Sequence, residues 1–517
     1  MIKKRKTKTP GADPSLPPTF PRVLLAPVLA TLLFAPACPS PPGPAKKSVS
    51  DGRITIALES AYWTDSAMDA NDIDVRTNSG IVTLSGQVDS LLESERAVRI
   101  AETTVGVRGI IDRIEVNPSY RPSDTHLRRA VKAALLADPA TEAYQTTVTV
   151  QDGVVSLGGT SESWHEKHIC AQVAMGVRGV RNVRNNIVVK YRTDRSDREI
   201  EEEVKARLAN DVLIDGELVS VEVNNEKVTL RGAVGSLAEK NRAVQRAWVT
   251  GVDGVDAEKL EVRWWMRDEM RRTSAYAARS DDEIKNAVAD AFLYDPRVKA
   301  FNPIVSVDAG KVTLSGVVHN LAAKKAAEQD ARNVVGVRRV RNFLKVRPEV
   351  IPPNDELEER VATALRHDPY LDRWDVDIKV RNGWVYLSGK VKTSWEKNHA
   401  RRRAGGVKGV TRVIDNLEYD HVWEWRPDWE IEEDIREELF WSPFVNEDKI
   451  QVSVRNGVAT LTGEVATWSE RDAAENNAYE GGAKQVDSRL EVDFPSFGPD
   501  YDPYHRGLTW YPPFYPG

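Results

Sequence analysis

The sequence predicts an α+β chain: a tandem array of six small αββαβ domains, each with two helices packed on a mixed three-stranded sheet. Three observations carry this. A strand-turn-strand phrase recurs six times and ends in Gly86, Gly159, Gly232, Gly316, Gly389 and Gly463, at intervals of 73, 73, 84, 73 and 74 residues. The same helix-start signal follows nearly every phrase, and an amphipathic helix precedes it. Recurrence at a fixed period marks an array of supersecondary units, and 517 residues are too many for one hydrophobic core.

The first helix of the unit is clearest at 281–292 and 355–365, where apolar residues recur at helical spacing. Asp138-Pro139, Asp295-Pro296 and Asp368-Pro369 close it in copies two, four and five, because proline stops a helix. The hairpin follows, alternating apolar and polar residues around a turn rich in Asn, Asp and Gly. Asn382-Gly383 and Asn456-Gly457 are its cleanest turns.

The second helix starts at Ser90, Ser163, Ser236, Asn320, Thr393 or Thr467, four residues beyond the glycine. Three residues later stands Glu93, Glu166, Glu239, Glu396 or Glu470, with Ala323 in copy four. Ser/Thr and Glu at this spacing predict a capping box, each side chain taking an orphan backbone N–H. The helix is expected to end at Gly106-Val107, Gly176-Val177, Gly251-Val252, Gly336-Val337, Gly406-Val407 or Gly481-Gly482, the glycine serving as a left-handed cap. A last strand comes next. Joined to the second through a helix, it should run parallel to it by a right-handed crossover.

The six units occupy 51–118, 123–191, 195–264, 280–347, 354–420 and 428–493. A longer join from Trp264 to Arg279 accounts for the 84-residue interval and divides the array into two groups of three. The spacing is compatible with a rod or a compact cluster, and with any oligomeric state. Residues 494–517 form a tail with eight aromatics and several prolines, suited to a surface-draped segment or a docking peptide.

The first 38 residues differ from the rest. Lys3, Lys4, Arg5, Lys6 and Lys8 precede an apolar stretch from Val23 to Ala37 that ends at Cys38. That order describes a secretory signal. Ala35-Pro36-Ala37-Cys38 resembles a bacterial lipobox, with Ala35 where the motif usually has Leu. The resemblance implies a lipid on Cys38; an ordinary signal peptide cut nearby, or an uncleaved anchor, is the alternative. Beyond Cys38 the net charge is −11, which argues against a general nucleic-acid binder. Cys170 stands alone in a helical pattern, so no disulfide framework exists.

No catalytic constellation, cofactor motif or metal-ligand set emerges. His165 and His168 flank Glu166 at i, i+3, whereas zinc proteases place their two histidines at i, i+4, so a solvated helix start is expected here. Charge and tryptophan are uneven. Copy four carries twelve basic and eight acidic side chains, copy six 6 and 17. Basic runs stand at Arg338, Arg339, Arg341, Lys345 and Arg347, and at Arg401, Arg402 and Arg403. These suit anionic headgroups, at about 1 kcal/mol per residue, or equally the acidic copies of the same or another molecule. Trp164 and Trp468 follow the helix N-cap where three other copies have Leu91, Leu237 and Leu321, and Trp395 lies one residue further on. A hydrophobic staple or inter-domain packing is the favoured expectation; an interfacial anchor is the other.

The V-x-L-x-G hairpin end, the S/T-x-x-E helix start and the G-V-x-x-V phrase together resemble the BON domain, over about residues 51–493. The resemblance implies a periplasmic protein, anchored to the outer membrane through Cys38. It further implies anionic phospholipid or outer-membrane and envelope proteins as partners, and a part in envelope maintenance or osmotic stress. The expected function is non-enzymatic binding, with Trp395, Trp468, Arg338, Arg339, Arg341, Arg401, Arg402 and Arg403 as contacts. A structural spacer or assembly scaffold, or a periplasmic chaperone, is the alternative.

Overall fold

A computed structural model describes residues 49–65, 68, 73–141, 146–265, 279–371, 376–392, 394–419 and 426–492. The first helices of the six copies are Asp51–Thr64, Asp124–Ala137, Asp197–Asn210, Asp281–Tyr294, Asn354–Arg366 and Asp428–Trp441. The second are Leu91–Glu102, Trp164–Met175, Leu237–Ala247, Leu321–Arg332, Ser394–Gly406 and Trp468–Glu480. In every copy the first two strands pair antiparallel and the last joins the second in parallel, as in Ile73–Asn78, Ile81–Val88 and Gly109–Val116. The α+β repeat read from the sequence is therefore the fold.

Local chemistry explains why each unit closes. The aspartate that opens a first helix accepts both amides of the hairpin turn: Asp51 from Ser79 (2.7 Å) and Gly80 (2.9 Å), Asp428 from Asn456 (2.8 Å) and Gly457 (2.9 Å). It also lies at the positive end of its own helix. Asn382 and Gly383 both have positive φ, as a type I′ turn requires. The phrase-ending glycines take φ between +113° and +131°. All but Gly316 face the first residue of the opening strand, as Gly463 faces Ile450, and beyond them the second strand continues with the last strand alone. A Cβ on Gly463 would meet the carbonyl oxygen of Lys449.

Two expectations need correction. The helix-start serines do accept the N3 amide, as Ser163 does from Glu166 at 3.2 Å. The glutamates, however, reach one residue beyond the N-cap: Glu93 to the Asp89 amide, Glu166 to Glu162, Glu239 to Gly235, Glu396 to Lys392 and Glu470 to Ala466, at 2.7–2.9 Å. Glu166, Glu239, Glu396 and Glu470 are buried, and in this position they tie the hairpin exit to the helix. Reciprocal boxes close instead on first helices, at Ser196–Glu199 and Ser280–Glu283. The second correction concerns the glycines after the second helix. Gly106, Gly251 and Gly336 are left-handed as expected, at φ +90°, +95° and +89°, but Gly176 (φ −74°) and Gly481 (φ −70°) are not; in those copies Gly179 and Gly482 take that role, at φ +91° and +95°, and in copy five Gly409 does, at φ +99°. The left-handed residue makes the turn into the last strand, beyond the helix end.

The six domains belong to one compact unit, and their contacts follow a rule. First, they pair one with six, two with five and three with four. The Arg178 amide donates to the His367 carbonyl (2.8 Å) and Lys408 to Ala137 (3.2 Å); Val335 donates to Asn210 (2.9 Å) and Val212 to Asn333 (3.0 Å); Val105 donates to Trp441 (3.2 Å). In each pair the end of one first helix meets the turn after the partner's second helix, or its last residues.

Second, in five of the copies the residue after the second-helix N-cap reaches another copy. Leu91 of copy one packs on the core of copy two. Trp164 of copy two stacks on Trp248 of copy three, and Leu237 of copy three is buried in a core cluster shared with copy one. Trp468 of copy six donates its indole N–H to the Arg338 carbonyl of copy four, and Leu321 of copy four packs on the core of copy five. These contacts link copies one, two and three to one another, and copy four to copies five and six.

Candidate anionic-surface interface

The outer face of the sheet in copy four is a basic exposed surface. Side chains alternate across a strand. Leu344 of the last strand is buried, while Arg339, Arg341, Phe343, Lys345 and Arg347 are exposed on the opposite side. The register extends that face across the sheet, with Lys311 opposite Arg339, Thr313 opposite Arg341 and Val317 opposite Lys345. Ile304 stands across from Ser315 on the opening strand. Ile304 (64% exposed), Phe343 (63%) and Val317 (40%) thus form an apolar group among cations. Asp308, paired with Lys311, is the acid of these rows. Among the described residues no ion pair reaches Arg339, Arg341, Lys345 or Arg347.

Copy five presents a second basic and aromatic face. Arg412 lies over the Trp384 ring at 4.8 Å, in register beside it and Arg381. Sequence reasoning missed Lys311, Ile304, Val317, Trp384 and Arg412 because they become neighbours only through strand register; period-two alternation was the available signal.

The residues expected as contacts separate in space. Arg339 and Arg341 lie on the exposed face. Trp395 is stacked on His399 (4.8 Å) and set edge-on to Tyr370, with Arg96 of copy one 5.5 Å from its ring. Trp468 is held by the Arg338 carbonyl, with Arg471 over its ring. Arg403 pairs with buried Asp368 at 2.8 Å. Arg401 donates to Asn398, and Arg402 lines a cavity between copies two and five. Burial, and then Arg401 and Arg402, lower the pKa of Lys325 across the junction of copies four and five. Cys38 and the tail lie outside the described residues.

His165 and His168 do not sit at a solvated helix start. His168 stacks on Trp164 (4.8 Å), and burial, followed by Arg207 and Arg246, pushes His165 down to about 3. Both rings belong to a domain junction. No group of His, Cys, Asp and Glu among the described residues is placed to hold a metal ion, and no described helix is long and apolar enough to cross a membrane.

A capped αββαβ unit repeated six times, its helices turned toward other copies, defines a tandem array of small α+β domains. The chain belongs to the BON domain family, whose pattern matches residues 50–118, 123–191, 196–263, 280–348, 353–420 and 427–493. It is similar to osmotically-inducible protein Y of Escherichia coli K12, with 32% identity over 148 residues, 28% of this chain and 74% of that protein. It is also similar to the outer membrane lipoprotein DolP of Haemophilus influenzae, with 31% identity over 144 residues, 27% of this chain and 74% of that protein.

Proposed function

We propose that this is a non-enzymatic protein of the bacterial envelope that attaches to anionic phospholipid surfaces through the outer sheet face of copy four. The observation that carries this is the row of Arg339, Arg341, Lys345 and Arg347 around exposed Phe343, without ion-pair partners among the described residues. Cations of this kind gain about 1 kcal/mol each near an anionic leaflet, and an apolar ring among them suits the headgroup boundary. The likeness to an osmotically inducible protein and to an outer membrane lipoprotein supports an envelope location and a part in osmotic stress or envelope maintenance. A lipid on Cys38 would hold the array at the outer membrane.

Vesicle flotation tests the proposal. Without residues 1–38, and so without a lipid on Cys38, the protein should float with vesicles of phosphatidylglycerol and phosphatidylcholine at low salt, not with phosphatidylcholine alone, and high salt should release it. Arg339→Glu with Arg341→Glu should abolish flotation. If the unmodified protein ignores anionic vesicles, or the double variant still binds, the lipid reading fails. The mutual packing of the six copies then favours the scaffold reading.

A further inference from the structure

The three paired junctions occupy equivalent places in the array, so their differences point to function. Four residues before the end of each first helix, marked by Asp65, Asp138, Asp211, Asp295, Asp368 and Ser442, stand Ala61, Ala134, Arg207, Ala291, Ala364 and Glu438. Pairing sets Arg207 against Ala291 between copies three and four, and Arg207 with Tyr294, 3.9 Å from its ring, leaves a cavity of about 50 Å³. Between copies one and six, Ala61 meets Glu438 in a cavity of about 310 Å³ lined by both signs of charge: Asp65, Glu438 and Glu480 with Arg96 and Arg99. Between copies two and five, Ala134 meets Ala364. Both are small, and a cavity of about 280 Å³ remains, close to the lower bound of about 300 Å³ for small-molecule pockets.

This third cavity is amphipathic. Its apolar wall is Ala130, Ala134, Ala137, Val173, Ala364 and Val407, while Arg360, Arg402 and Arg403 gather on the copy-five side. The acids nearby are committed elsewhere. Asp368 holds Arg403 (2.8 Å) and His399 (2.9 Å), Glu356 holds Arg360, and Asp138 accepts the Ala140 amide at 2.8 Å. No ion pair among the described residues reaches Arg402. Arg402 is exposed at the rim of the cavity; desolvation, and then the like charges of Arg401 and Arg96, lower its pKa, with Asp368 opposing the shift.

We infer that the cavity between copies two and five is a binding site for a small amphiphilic anion, an aliphatic chain ending in a carboxylate. The chain lies on the alanine and valine wall, and the carboxylate meets the Arg402 guanidinium, which suits a planar acid better than a point charge would. This site is separate from the sheet face of copy four, so the two proposals stand or fall independently.

Calorimetric titration of the full chain with octanoate tests the inference. One equivalent should bind, and octyltrimethylammonium, equal in chain length but cationic, should not. Arg402→Gln should weaken octanoate at least tenfold. Ala364→Leu should abolish binding by filling the cavity, and Ala134→Leu does the same from the other wall should the first variant fold poorly. Ala61→Leu, at the equivalent position between copies one and six, should leave binding unchanged. Absence of octanoate binding, equal binding of the cation, or full binding by the filled or Arg402→Gln variants would overturn the assignment.

Discussion

The indole of Trp164 in copy two lies nearly parallel to that of Trp248 in copy three, ring centroids 5.3 Å apart and planes 7° from coplanar. Trp248 packs against the core that copy three shares with copy one, whereas Trp164 is outside the core of copy two, so the stack bridges two domains. Trp164→Ala should destabilise this junction by roughly 2–4 kcal/mol, below a full core deletion because the ring is only half-buried. In urea unfolding the effect should appear as an earlier or split transition, and Trp248→Ala should add little to it. Fully additive losses in a double-mutant cycle would show that the stack carries no coupling.

A second prediction concerns pH. Glu438 lines the cavity between copies one and six, and burial, followed by Glu480, Glu437 and Asp434, pushes its pKa from 4.5 to about 7. Over that window the folded chain holds a proton that the unfolded chain has released. Stability therefore falls as pH rises from about 4.5 to 7 and levels off above. Glu438→Gln should flatten this part of the profile, measured by urea midpoints across the range. An unchanged slope would place the titration elsewhere.

The aspartate clamps on the hairpin turns provide a third. Asp428 accepts two turn amides, whereas Asn354, its counterpart in copy five, is bonded to the Asn382 amide alone, at 2.9 Å. Asp428→Ala should cost about 1–3 kcal/mol, since two donors lose a charged acceptor. Asp428→Asn should cost less, matching the arrangement copy five already uses. Equal losses for the two variants would mean that helix propensity, not the clamp, sets the effect.

The repeat was legible because its signals are local: turn glycines, N-caps and alternation all act within a few residues. The 28- and 29-residue link from Asp428 to the Asn456 and Gly457 amides was equally regular but spans a helix and a strand, so no window of helical or strand periodicity contains it. Glu93 and Gly176 depart from expectation for a related reason. Spacing identifies a capping residue, while burial and the following strand decide which amide or turn it serves. The basic face was half visible. The run from Arg338 to Arg347 was plain, but only the strand's alternation separates Arg339 and Arg341 from Arg338, and only the register adds Ile304 and Val317. Trp395 and Trp468 needed the tertiary structure, because a tryptophan after a helix N-cap suits a membrane boundary and a neighbouring domain equally well.

The pairing rule makes the last prediction. Copies one to three meet copies six to four across three junctions, held by backbone bonds such as Arg178 to His367 (2.8 Å) and Val335 to Asn210 (2.9 Å). Carbonyls at the ends of the first helices have no partner in their own helix, so each junction satisfies groups that would otherwise face water or remain unpaired. The link between copies three and four makes these contacts intramolecular, which raises their effective concentration without adding contact area. A chain divided between residues 265 and 279 should therefore reassemble when 49–265 and 279–492 are co-expressed. The halves should copurify one to one, and size exclusion should give a single species with the summed mass of the two halves. Val335→Pro, which removes the amide that donates to Asn210, should weaken that association more than it lowers the stability of the second half alone. Halves that elute separately on mixing would mean that the three pairings depend on the covalent join.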